Sequence, residues 1–154
     1  MNAPTRRGML VAGAGIAAWI MVSPSGYAAE VDLAAAVTAY TGGAPVRTGR
    51  IVLDVATLVE NGNTVPVTIK VDSPMTATDF VRAIVIFNEK NPQRDVVRFT
   101  LGPRAGRAEV HTRIRLATSQ KLVAIAQMSD GSFWSHTVDV IVTLAACIEG
   151  EDGT

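Results

Sequence analysis

At 154 residues, with 14 basic against 14 acidic side chains, the chain has single-domain length and room for a real core, and no basic stripe argues for nucleic acid. One cysteine excludes an internal disulfide, so Cys147 is either joined to another chain or kept as a free thiol with a task. The only histidines, His111 and His136, stand in neither an H-x-x-x-H nor a C-x-x-C spacing, and there is no G-x-S-x-G elbow or phosphate-binding glycine loop. No metal and no cofactor are therefore expected, and the common hydrolase and nucleotide-binding classes drop out.

The chain opens with the pair Arg6-Arg7, then a modestly apolar run from about Met9 to Val22 that contains Gly13 and Gly15. Gly26 and Ala28 follow at the −3 and −1 spacing of a cleavage site. This is the pattern of a twin-arginine signal peptide over residues 1–28, a route that exports folded cargo to the periplasm. The run falls short of the roughly 20 apolar residues a membrane span needs, so no membrane association is expected of the mature form. Cleavage would remove Arg6 and Arg7 and leave acidic residues two ahead of basic ones.

From Glu30 to Tyr40, Leu33, Ala34, Val37 and Tyr40 recur at helical spacing, which predicts one short amphipathic helix. Thr41-Gly-Gly-Ala-Pro45 ends it. Strand patterns follow: Ile51, Leu53 and Val55 alternate, then Val65, Val67, Ile69 and Val71. Glu60-Asn61-Gly62-Asn63 reads as a hairpin turn between them, and Pro66 suggests an edge strand because proline donates no ladder hydrogen bond. Phe80 to Phe87 is apolar on both faces apart from Arg82, as in a central strand. Val97, Phe99 and Leu101 make a shorter one.

Arg107 to Leu116 alternates, with Ala108, Val110, Ile114 and Leu116 inward and Arg107, Glu109, His111, Arg113 and Arg115 outward. Lys121 to Met128 is a further strand, and Asp130-Gly131 is a second hairpin signal. The last strand places Val138, Val140, Val142 and Leu144 inward and Thr137, Asp139, Ile141 and Thr143 outward. Seven strands at turn spacings of about 8 to 14 residues after one helix predict an all-β, immunoglobulin-like antiparallel sandwich over residues 29–144.

The chemistry on offer is sparse. The histidines read as strand residues. Arg113 and Arg115, with Arg107 a further candidate, share a strand face that is either an anion or partner contact or a solvated face with carboxylates nearby. Phe133 and Trp134 read as core packing, with partner contact as the alternative. Cys147 lies beyond the last strand pattern, in an arm of residues 145–154. If extended geometry continued past Leu144 it would share parity with Asp139 and Thr143 and point outward. An unperturbed thiol near pKa ~8.5 is only a few per cent ionised at neutral pH, and Glu149, Glu151 and Asp152 would hold it protonated, so activation falls to a partner.

Glu60-Asn-Gly-Asn-Thr-Val-Pro-Val-Thr-Ile69, Val71-Asp-Ser-Pro-Met75, Asn91-Pro92, the stretch from Arg107 to Leu116, and Met128-Ser-Asp-Gly-Ser-Phe-Trp134 together resemble the SoxY family, the sulfur carriers of bacterial thiosulfate oxidation. The resemblance implies an immunoglobulin-like sandwich paired with SoxZ, a subunit without a signal of its own. It implies that Cys147 holds the sulfur substrate covalently and presents it to c-type cytochrome, hydrolase and sulfur dehydrogenase partners, catalysing nothing itself. The alternative is a non-catalytic binding or structural sandwich with Cys147 in an interchain disulfide; a small thiol enzyme is a weaker third. The family's arm typically ends Gly-Gly-Cys-Gly-Gly, whereas here Ala145, Ala146, Ile148 and Glu149 flank Cys147. These residues make the arm stiffer, wider and more acidic than glycine would.

Overall fold

Two β-sheets enclose one apolar core in the computed structural model, which describes residues 32–144. Helix α1 (Leu33–Thr41) precedes nine strands among the described residues: β1 (Val46–Thr48), β2 (Ile51–Asp54), β3 (Leu58–Asn61), β4 (Val65–Val71), β5 (Val81–Asn88), β6 (Asp95–Thr100), β7 (Glu109–Ile114), β8 (Gln120–Met128) and β9 (Phe133–Leu144). The large sheet runs β1-β9-β8-β5-β6, with β3 also on β9; the small sheet runs β2-β4-β7. The expected leader, residues 1–28, lies outside the described residues, as do Glu30 and Val31 of the expected helix.

The seven expected strands pair with one another only in antiparallel fashion, as expected of the sandwich. β5 is buried at every position except Arg82, which fits its place between β8 and β6. β8 turns into β9 at Asp130-Gly131: Gly131 takes φ 84° and donates its N–H to the Met128 carbonyl at 3.0 Å. The Asp130 carboxylate accepts from the Ser132 hydroxyl and amide, which holds it below the usual carboxylate range.

Four expectations about the strands need correction. First, β1 and β3 join the sheet without having been foreseen. They are three and four residues long, too short for alternation to register, and both run parallel to β9. Second, the chain does turn at Asn61 to Asn63, where Asn61 Oδ1 accepts the Asn63 N–H at 2.9 Å, but no hairpin forms. β3 belongs to the large sheet and β4 to the small one, so the Asn-Gly turn carries the chain between sheets. Third, β4 is the central strand of its sheet, not an edge. Pro66 is tolerated because it lies beyond the last β2 partner, Asp54 opposite Thr68, and faces Arg113 of β7 alone. Fourth, Leu144 is 67% exposed rather than inward, because the β8–β9 ladder ends at Gln120–Val140 and beyond it only Val142 of β9 still packs against the core.

Helix α1 lies on the outer face of the large sheet, where Leu33, Ala36, Val37 and Tyr40 cover Val85, Phe87, Ile125 and Phe133. Ala36 replaces the expected Ala34, which is exposed: counting from Leu33, positions three, four and seven residues on share the face. Gly42 at φ 63° ends the helix as expected. The Tyr40 ring packs on Phe87 and Phe133 at 5.7 and 5.8 Å, but its buried hydroxyl has no hydrogen-bond partner among the described residues. Burial raises the Tyr40 pKa, with nearby Arg98 opposing. Tyr40→Phe should therefore be neutral or stabilising by up to about 1 kcal/mol, because it removes only an unmatched polar group. A lowered midpoint in denaturant-induced unfolding would show that the hydroxyl has a partner.

Candidate functional site

Cys147 and its neighbours Ala145, Ala146, Ile148 and Glu149 lie outside the described residues, so the site is defined by the root from which they leave. That root is the last third of β9, and it is held on both edges. On one edge Leu58, Val59 and Asn61 of β3 stand opposite Ile141, Val142 and Leu144, and the Ile141 N–H donates to the Thr57 carbonyl at 2.8 Å. On the other, the Val142 N–H donates to Ser119 Oγ at 2.8 Å. The Thr143 hydroxyl donates to the Glu60 carbonyl at 3.1 Å.

Gly62 ties this root to the small sheet. Its N–H donates to the Leu144 carbonyl at 3.0 Å, and its carbonyl accepts the Leu116 N–H at 2.8 Å. Gly62 is buried, and both backbone groups are used. Sequence reasoning missed Ser119 and Gly62 as supports of the arm; Gly62 was visible only as a turn glycine, and Ser119 carried no signal. Leu58, Ile141 and Leu144 form an exposed apolar rim around the root.

Arg113 and Arg115 come out on the exposed side of β7 and just past its end, as the alternation predicted. Neither guanidinium has a side-chain partner among the described residues. Arg107 does not join them. It sits at the other end of the strand beside Glu109 at 3.9 Å, and Glu109 also holds Lys70 at 3.5 Å and His111 Nε2 at 3.1 Å. The two unpaired arginines instead line an open cleft of about 490 Å³ between β6 and β7, with Val96, Val97, Thr112 and Pro92 in its walls.

Asn91 builds the end of that cleft. Its Nδ2 donates to the Arg115 carbonyl at 2.8 Å, and its Oδ1 accepts from the Ala117 amide at 3.0 Å and from Gln120 Nε2 at 2.7 Å. Fully buried Asn88 accepts the Asn91 N–H at 2.9 Å and donates to the Gln93 carbonyl at 2.6 Å. The loop after β5 is thus pinned to the end of β7, and Arg115 is held at a defined place.

The remaining candidates serve the fold. His136 Nδ1 accepts the Leu53 N–H at 2.9 Å, a bond from the large sheet to the small one, and His111 Nδ1 meets the Thr68 hydroxyl at 2.9 Å. Phe133 is buried under α1, whereas Trp134 faces the other way, with the Arg47 and Arg50 guanidiniums each 5.7 Å from its ring centre. Among the described residues, no three His, Cys, Asp or Glu side chains gather as a metal centre requires. None of the described helices is long and apolar enough to cross a membrane.

The model of the family described as "Sulfur oxidation protein SoxY" matches residues 37–147. No curated protein matches the chain. Among solved structures, the sulfur carrier protein SoxY from Chlorobium limicola f thiosulfatophilum is 30% identical, with TM-score 0.61, over 73% of this chain and 97% of that one. A superoxide reductase (neelaredoxin) from Ignicoccus hospitalis is 17% identical, with TM-score 0.55, over 63% and 94%. The superoxide reductase from Nanoarchaeum equitans is 12% identical, with TM-score 0.53, over 62% and 100%. The two reductases share the fold alone. The family match covers most of the chain and ends on its single cysteine, and the described sandwich is one the solved SoxY shares over nearly its whole length: this chain belongs to the SoxY family of sulfur oxidation proteins.

Proposed function

We propose that the protein is a covalent sulfur carrier: Cys147 bears the sulfur substrate at the end of the chain and presents it to separate enzymes. The observation that carries this reading is that the family match runs to residue 147 and takes in the cysteine, three residues past the last described strand. The similar chain from Chlorobium is itself named a sulfur carrier protein. The support around β9 suits the task, because a firmly hydrogen-bonded root fixes where the cargo leaves the sandwich.

On this reading the chain is exported to the periplasm by its twin-arginine leader and pairs with a SoxZ-like subunit. It acts without catalysing the chemistry and takes no cofactor. Thiosulfate joins the thiol through a new bond between Sγ and the outer sulfur. The thiol proton and two electrons leave, and the electrons pass to the c-type cytochrome partner. Hydrolase and sulfur dehydrogenase partners then process the adduct. Arg113 and Arg115 remain available for an anion or a partner.

Intact mass spectrometry of the protein purified from the periplasm, before and after a reductant, tests the reading. A reductant-labile gain corresponding to sulfur atoms or a thiosulfonate is the expected result. A bare thiol or a simple disulfide dimer, unchanged by thiosulfate and the partner enzymes, would instead indicate a binding module linked through Cys147.

A further inference from the structure

We propose that the outer edge of β7 is a docking strand, which takes an extended segment of another protein in which acidic and apolar residues alternate. The inference does not rest on the carrier reading, and Cys147 has no part in it.

The backbone of β7 is only half used. The Val71 N–H donates to the Ala108 carbonyl at 2.9 Å, one step beyond the Lys70–Glu109 pair of the β4–β7 ladder. In an antiparallel ladder, opposed residues alternate between exchanging both bonds and exchanging none. Val110, Thr112 and Ile114 therefore bond to β4, while Glu109, His111 and Arg113 turn their N–H and C=O groups to the other edge. Among the described residues no strand pairs with that edge. The next group along it, the Arg115 carbonyl, already accepts from Asn91 Nδ2 at 2.8 Å, so the open stretch ends there. Across the cleft, β6 is a poor template. Val96 is an extra residue between the Ile86–Val97 and Phe87–Asp95 pairs, a bulge of the kind that spoils an edge for pairing.

Side chains on the two faces specify what can lie along β7. Arg113 and Arg115 are exposed on the solvent face and have no side-chain partner among the described residues. Asp95, the carboxylate in the cleft wall, is already paired with Arg98 at 3.0 Å. A strand laid against β7 puts one residue opposite Arg113 and another within diagonal reach of Arg115, and acidic residues match both. Two cations on an edge repel a basic strand and accept an acidic one, so they select as well as protect.

The intervening residues of such a strand point inward, toward the cleft of about 490 Å³ with Val96 and Val97 in its wall. The core is incompletely closed on this side. Val110 and Thr112 are half-buried, whereas Ile69 and Val67, opposite them on β4, are buried. Apolar side chains entering here gain by leaving water.

The test is a titration of the isotope-labelled protein, followed by amide NMR, with a short capped peptide that alternates valine and glutamate. Saturable shifts centred on His111 and Arg113 are expected, with a Kd below about 1 mM. Arg113→Gln/Arg115→Gln should weaken binding about fivefold, the sum of two exposed ion pairs. Arg113→Glu/Arg115→Glu should instead favour a valine–lysine peptide, which shows that the variant edge still folds. N-methylation of the glutamates, which removes the N–H groups facing β7, should abolish binding. The proposal is overturned by the absence of saturable shifts, by shifts centred away from β7, by equal binding of the two peptides to the unaltered protein, or by undiminished binding of the methylated one. The same shifts with sulfate alone would assign the arginines to a small oxyanion. The same shifts on concentrating the protein alone would assign the edge to a second copy. Either result overturns it too.

Discussion

Cys147→Ser is expected to abolish adduct formation completely while leaving the thermal unfolding midpoint where it was. The two halves of this result have separate causes. The new bond must form at a sulfur that can lose a proton and give up electrons, and a serine hydroxyl does neither near neutral pH. The fold is indifferent because every buried apolar side chain of the described sandwich lies between Ile51 and Val140, and the last described residue, Leu144, is already exposed. Thiosulfate-dependent labelling, read by intact mass with the partner enzymes present, should disappear. Labelling retained in the serine variant would move the attachment elsewhere and end the carrier reading. A midpoint lowered by more than a degree or two would mean that the arm packs as part of the core.

Leu122→Ala should cost about 2–5 kcal/mol, a large share of the roughly 5–15 kcal/mol that holds a domain of this size together. Leu122 is fully buried, stands opposite Val138 on one side and Asn88 on the other, and fills the space between the sheets. Truncation leaves a cavity that three hydrogen-bonded strands cannot collapse into. Leu144→Ala, the same chemical change, should cost less than about 0.5 kcal/mol because that side chain already faces water. Denaturant midpoints measured on both variants check the contrast. Similar losses at the two sites would mean that the rim around the arm is covered in the working protein, for instance by a partner subunit.

These two leucines also mark where periodicity stops being informative. Leu144 follows the inward parity of Val138, Val140 and Val142, yet only Leu122 lies within the ladder that covers the core. The same limit hid β1 and β3, whose alternation spans too few residues to be seen and whose partner, β9, lies some 80 residues further along the chain. Pro66 misled for a related reason: its missing N–H is a local property, but whether a neighbour stands opposite depends on where β2 ends.

The amino-acid sequence alone determined the succession of the seven longer strands, the inward and outward faces of β4 and β7, the burial of β5 on both faces, the turn at Gly131 and the singular position of Cys147. Each of these depends on local chemistry: a period of two, a glycine at positive φ, one thiol beyond the last apolar alternation. It also carried the motifs that resemble SoxY. Only the tertiary structure decided that His136 spans the two sheets, that Arg107 is occupied while Arg113 and Arg115 have no side-chain partner among the described residues, and that Gly62 joins the origin of the arm to the end of β7. Those facts arise from contacts between segments tens of residues apart, where the partner is chosen by packing and not by any pattern along the chain.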